Sequence, residues 1–283
     1  MNGRNCLVTG ATRGIGLHTA IGLAERGASV IVHGRTEASA GAAATAVRQH
    51  VAGATVHTIA GDLTAMADVD RLANEVVQRF DVLHVLVNNA GLVCTERALT
   101  TDGFERQLAV NHLAPFLLTK RLAPLLTASA PARVVNVASH AHNFGRIHFD
   151  DLHLEHSWSN PMVGYRQSKL AMVLSTQRWA QELKNTGVTV NTLHPGVVGT
   201  DFANSASSRV VRMGWKLMKP FLKSAQSGAK TTLYACCSTK LTDVTGQYFD
   251  KQRPRELPER SRDMTTADRL WDVTEALISQ ALA

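Results

Sequence analysis

The chain has 283 residues, enough for one large domain or two small ones, and its 45% hydrophobic and 19% charged residues match an ordinary globular core. A formal charge of +7 raises nucleic acid as a partner, but the Lys and Arg residues are scattered, densest over 251–262. Scattered basic residues read as solvated faces, which argues against nucleic-acid binding and is compatible with steering an anionic small molecule.

In chain order, short β-branched runs read as buried parallel strands at 6–9, 28–33, 55–60, 82–88, 132–138, 188–194 and 246–250. Helical spacing between them predicts helices near 14–26, 37–50, 65–79, 101–127, 162–185 and 224–238. Thr64 and Thr101 are the expected N-caps, and Gly27 and Gly187 the expected helix stops. Such alternation implies one α/β domain spanning 1–283, doubly wound, with a seven-stranded parallel sheet flanked by helices on both faces. Two pieces stand outside the alternation: 201–223, and a C-terminal extension, 251–283. The extension sets Leu270, Val273, Leu277 and Ala281 on one helical stripe that should dock on the domain.

Cys6, Cys94, Cys236 and Cys237 match no zinc spacing, and the adjacent pair could bridge only under strain. Free thiols in a reducing compartment are expected. There is no signal-like start and no apolar run of about 18–20 residues, so a soluble, cytoplasmic protein is expected.

TGATRGIG, residues 9–16, follows the first strand and opens the first helix, the context in which glycines let backbone N–H groups approach a pyrophosphate. Gly10, Gly14 and Gly16 form the turn, with Thr12, Arg13 and Ile15 between them. The second strand ends in HGRT, where a carboxylate for a ribose 2′-hydroxyl would normally stand; Arg35 follows Gly34, and no acid comes before Glu37. Arg13 and Arg35 would both suit a 2′-phosphate, so NADP(H) is expected in preference to NAD(H).

Tyr165 and Lys169 stand one helical turn apart, which brings a phenol and a cation to one face. A nearby cation favours the phenolate and would make Tyr165 a usable proton carrier. Ser139 ends a strand, on the crevice side of a parallel sheet.

Together these motifs resemble the short-chain dehydrogenase/reductase family over nearly the whole chain: Thr9, Gly10, Gly14 and Gly16 in the first loop, Asp62 in GDL, NNAG at 88–91, and HPGVVGT at 194–200. The resemblance implies a Rossmann-type fold. It makes Asn111, Ser139, Tyr165 and Lys169 the catalytic group, with Asn111 anchoring a water in a proton relay through Lys169. It also implies cofactor contacts from Asp62 and Leu63, from Asn89, Ala90 and Gly91, from Tyr165 and Lys169, and from Pro195, Gly196, Val198 and Thr200.

The long stretch between Ser139 and Tyr165, with the ending LWDVTEAL, resembles the retinol dehydrogenase-like group, which implies reduction of apolar aldehydes or ketones, usually with NADPH. Dimers and tetramers are frequent in the family, so a homodimer or homotetramer is expected. Members of this group often begin with a membrane-anchoring helix, and none is expected here. His140, His142, His148, His153 and His156 lie in the long stretch without a confirming acid or cysteine, so exposed loop histidines and no metal are expected. Segment 201–223, apolar and basic together, takes the place of the family's substrate lid; a packed helix or shallow contact with an anionic membrane are its rival readings. Reduction of a C=C bond and a non-catalytic nucleotide sensor are the alternative functions.

Overall fold

The computed structural model describes residues 1–196 and 224–283. Eight strands form one sheet in the order β3-β2-β1-β4-β5-β6-β7-β8. They are β1 (Asn5–Val8), β2 (Ser29–Gly34), β3 (Val56–Ala60), β4 (Val85–Asn88), β5 (Ala132–Val137), β6 (Val188–His194), β7 (Tyr248–Asp250) and β8 (Arg253–Arg255). Seven are parallel, as expected; β8 is an added antiparallel edge. The described helices are α1 (Gly14–Ala24), α2 (Glu37–His50), α3 (Met66–Arg79), α4 (Arg106–Leu108), α5 (Ala114–Ala128), α6 (Pro161–Glu182), α7 (Ala225–Cys237), α8 (Glu259–Arg262) and α9 (Met264–Ala281).

The strands alternate their side chains between two cores. Leu7, Ile31, Leu86 and Val134 enter the core beneath α3, α5, α6 and α9, whereas Val8, Val32, Val87 and Val135 enter the one beneath α1, α2 and α7. Burial of each such side chain contributes roughly 1.5–3 kcal/mol, which is why both faces need a helical layer. In the first core Phe116 packs against Trp179 and Trp271 at centroid distances of 5.3 and 4.7 Å, joining α5, α6 and α9.

Three local expectations are corrected. The helix expected over 101–127 starts at Arg106 and passes through a π-turn, Ala109–Leu113, before α5. Its cap is Glu105, whose carboxylate accepts from Gln107 and Leu108 N–H, not Thr101. Ala65, not Thr64, is the N-cap residue of α3, and Asp102 reaches across to accept the Met66 N–H at 2.8 Å. The docked stripe of α9 is centred on Ala267, Leu270, Thr274 and Ile278, so Val273, Leu277 and Ala281 flank it. Gly27 and Gly187 do follow helix ends, with φ of 80° and 78° that glycine adopts without strain.

Chain order reverses between β1 and β4, so a crevice opens at their carboxyl ends. The segment 201–223, with Val198 and Thr200, lies outside the described residues.

Candidate functional site

A cleft of about 530 Å³ occupies that crevice. The glycine loop forms one wall through Gly10, Thr12, Arg13, Gly14, Ile15 and Gly16, with Arg35, Asp62 and Leu63 beside it. Asn89, Ala90 and Gly91 form the floor, and Tyr165, Lys169 and Pro195 close the far end. Gly196 directly follows Pro195 with φ 93°.

The loop is shaped by backbone demands. Gly10 and Gly14 have φ of 61° and 58°. A Cβ on Gly16 would stand 2.3 Å from the Gly10 carbonyl oxygen and 2.5 Å from Asn89 Nδ2. Arg13 occupies the N-cap of α1 in an extended conformation, without a side-chain cap bond, and no acid enters the first turn. The first N–H groups of α1 therefore remain available to an anion. Beyond the loop, Thr36 and Ser39 form a reciprocal capping box, worth about 0.5–2 kcal/mol, that fixes the turn bearing Arg35.

The loop and the β4 floor are tied together. Thr9 Oγ1 donates to the Val87 carbonyl and accepts from the N–H groups of Asn89 and Ala90. Asn89 Nδ2 returns bonds to the carbonyls of Thr9 and Gly10, at 2.8 and 3.2 Å. His33 was not foreseen from the sequence. It lines the cleft from the end of β2, where Nδ1 accepts the Gly10 N–H. A histidine in a run of valines beside a glycine loop was the available signal.

The residues expected to be catalytic converge at the far end. Ser139 follows β5 and caps the short turn His140–Phe144 by accepting the Ala141 N–H at 3.2 Å. Its side chain lies beside the half-buried Tyr165 phenol, whose ionised form it favours. Lys169, one turn along α6, donates to the Val137 carbonyl at 2.9 Å, and its Nζ stands 5.9 Å from the Tyr165 ring centroid. Asn111 lies in the π-turn; Nδ2 donates to the Leu92 carbonyl and to Ser168 Oγ, each at 3.0 Å, while Oδ1 accepts the Leu92 N–H at 2.9 Å. Gly91 brings the groups together, since a Cβ there would stand 3.1 Å from Asn111 Oδ1 and 3.2 Å from Lys169 Nζ.

The electrostatics differ from the expectation of a phenol depressed by its lysine. Burial raises the Tyr165 pKa above its ordinary value, and the Ser139 side chain opposes the rise. Burial also lowers Lys169 to about 8, so the ammonium is itself easily discharged.

The histidines of the long stretch are not uniformly exposed. His142 is buried against Tyr248, and His153 is half-buried, accepting the Glu105 N–H on Nδ1 and stacking on Phe104. Among the described residues no group of three or more His, Cys, Asp or Glu is placed to hold a metal, and no helix is long and apolar enough to cross a membrane.

Comparison with known proteins agrees with this geometry. The family model for short chain dehydrogenases matches residues 4–210. Human retinol dehydrogenase 12 is 39% identical over 276 residues, covering 98% of this chain and 86% of that protein. Mouse retinol dehydrogenase 14 is 38% identical with the same coverage. A solved structure from Mycobacterium paratuberculosis matches with a TM-score of 0.79 and 32% identity, covering 98% of this chain and 94% of that one. Another, described as an NAD(P)-dependent gluconate 5-dehydrogenase from Beutenbergia cavernae with NADP bound at low occupancy, gives a TM-score of 0.71 and 25% identity, covering 88% of this chain and 95% of that one. The chain therefore belongs to the short-chain dehydrogenase/reductase family of oxidoreductases, in its retinol dehydrogenase-like group.

Proposed function

We propose that the chain is an NADP(H)-dependent carbonyl reductase or alcohol dehydrogenase acting on apolar aldehydes, ketones or the matching alcohols. The observation that carries this reading is the convergence of Tyr165 and Lys169, one helical turn apart with Nζ 5.9 Å from the phenol ring centroid and Ser139 beside them, at the end of a cleft whose opposite wall is a glycine loop. The residues present fit a nicotinamide dinucleotide: a helix start left uncapped, and a loop in which Gly16 leaves no room for a Cβ. Arg13 and Arg35 both border the cleft, and two guanidinium groups beside a ribose favour a 2′-phosphate. When bound, that cofactor supplies or accepts the hydride.

The chain's own residues then handle the oxygen and its proton. Tyr165 Oη gives a proton to the carbonyl oxygen in reduction, or removes it from the hydroxyl in oxidation, while Ser139 Oγ holds the same oxygen in place. Lys169 uses one N–H on Val137 and has two left for the ribose and the Tyr165 side. Both amide hydrogens of Asn111 are engaged, so the relay water falls to its backbone carbonyl within the π-turn. Leu92, Val93, Val110, Val137 and Ala138 give the substrate end an apolar lining, in keeping with relatives named as retinol dehydrogenases.

The test is loss of NADPH absorbance in purified protein with retinal, aliphatic aldehydes and aromatic ketones, repeated with NADH. Turnover with NADPH is expected to exceed that with NADH, and Tyr165→Phe to lose about 10²–10⁴-fold in kcat while still binding NADPH. Undiminished turnover in Tyr165→Phe overturns the reading.

A further inference from the structure

The end of β7 meets the turn that presents Ser139, and the side chains there form a polar cluster with no role in the chemistry above. His142 and Tyr248 are 1% and 4% exposed, with rings nearly perpendicular at 4.8 Å. Nδ1 of His142 is hydrogen-bonded to the Ser261 hydroxyl at 3.0 Å. Neither its Nε2 nor the Tyr248 hydroxyl has a partner. Native proteins rarely leave two neighbouring buried polar atoms unsatisfied, so the pair calls for an explanation. Tyr248 belongs to one buried cluster with Ala138, immediately before Ser139, and with Met172 and Val173, two turns beyond Tyr165 on α6. Its ring also meets His140, immediately after Ser139, at 6.3 Å. The phenol is thus wedged between the turn that carries Ser139 and the helix that carries Tyr165.

We propose that Tyr248 is a positioning residue for the Ser139–Tyr165 pair, its hydroxyl reaching that pair through one buried water that His142 Nε2 also binds. No partner lies within hydrogen-bonding distance of either orphan, and a single water spans such a gap where polar groups converge. The surroundings keep Tyr248 a donor. Burial first, then Asp250 and Tyr165, hold its phenol well above the ordinary value, so it stays protonated while Tyr165 ionises. A neutral donor directed at a phenolate stabilises it, which lowers the pH at which Tyr165 works. The other groups facing this point are His140 and His142 from the turn, Asp250 on the same strand and Arg255 opposite on β8, with His194 of β6 against His140 at 4.1 Å.

The proposal deepens the reductase reading, and its test is chosen to stand apart from it. The chain has three tyrosines, Tyr165, Tyr234 and Tyr248, so tyrosinate absorbance can be assigned by difference among Tyr→Phe variants. In Tyr248→Phe the ionisation of Tyr165 is expected to move up by about one pH unit. Turnover at neutral pH should fall about tenfold, with NADPH affinity unchanged. His142→Leu, which removes Nε2 and leaves the phenol, should shift Tyr165 the same way and carries the test if Tyr248→Phe does not fold. An unshifted Tyr165 overturns the proposal. So does a Tyr248→Phe protein that melts higher and turns over like the parent, because the hydroxyl would then be an idle orphan. The titration needs no substrate: a shift without carbonyl turnover would retain this inference and remove the proposed function.

Discussion

His33 holds the glycine loop from beneath: its Nδ1 accepts the Gly10 N–H at 3.1 Å while its Nε2 lies 3.0 Å from the Gly61 carbonyl oxygen. Both bonds form only in the neutral tautomer with the proton on Nε2, and burial keeps the ring's pKa below its ordinary value. One imidazole therefore joins the end of β2, the first loop and the turn before α3. His33→Leu leaves the Gly10 N–H without its acceptor, a penalty of about 1–3 kcal/mol borne by the loop that faces the cofactor. NADPH affinity measured by calorimetry is expected to drop about tenfold with the circular dichroism spectrum retained. An unchanged affinity would show that the loop holds its shape without the ring.

Gly16→Ala tests the same loop from the other side. The new methyl would meet the Gly10 carbonyl and the Asn89 amide at distances no Cβ tolerates, and neither neighbour can retreat without breaking the tie to Thr9. Loss of measurable NADPH binding and a lower melting temperature are expected. A variant that binds NADPH normally would mean the loop relaxes more freely than its hydrogen bonds imply.

Lys169 gives a prediction about pH. Burial lowers its pKa to about 8 from the ordinary value of 10.5, so between those values the unfolded chain binds more protons than the native one. Stability contributed at this site therefore rises with pH across that window; below it, the native state carries the full cost of a buried ammonium. The unfolding free energy of the parent minus that of Lys169→Met should increase by about 2–3 kcal/mol from pH 8 to pH 10.5. A flat difference would place the ammonium in contact with solvent.

What could be read from the sequence was what repeats or recurs at fixed spacing. The seven parallel strands announced themselves because burial on both faces demands long apolar runs, and the glycine loop because only glycine fits φ near 60° so close to other backbone. β8 escaped notice because Pro254 argues against a strand, although an edge strand accepts it. The two-residue turn before it, Lys251 and Gln252 with φ of 50° and 62°, also lacks the glycine or asparagine that usually marks such hairpins. The caps from Glu105 and Asp102 are tertiary or off-pattern contacts without a local signature. The spacing of Tyr165 and Lys169 correctly put both on one helical face, but spacing says nothing of burial, and burial decides both pKa values.

Buried histidines set the acid limit of the fold. His112, in the same π-turn as Asn111, is hydrogen-bonded through Nε2 to Thr274 Oγ1 of α9 at 2.8 Å, and burial pulls its pKa down to about 3. Burial first, and then His140, lowers His142 to about 4. In the unfolded chain both return to about 6.5, so the unfolded state takes up their protons first as the pH falls. Stability is then fully present above pH 6.5 and is lost progressively toward pH 4 for His142 and pH 3 for His112. At pH 5 the two together should cost about 2–4 kcal/mol relative to pH 7.5, read as a lower urea midpoint at a similar m-value. Thr274→Val leaves one face of the His112 ring without its partner, at a cost of about 1–3 kcal/mol. Because His112 adjoins Asn111, that variant is expected to lower kcat more than NADPH affinity. A urea midpoint independent of pH between 7.5 and 5 would mean that the two rings charge within the native fold, and that the contact between α9 and the π-turn opens more readily than its burial implies.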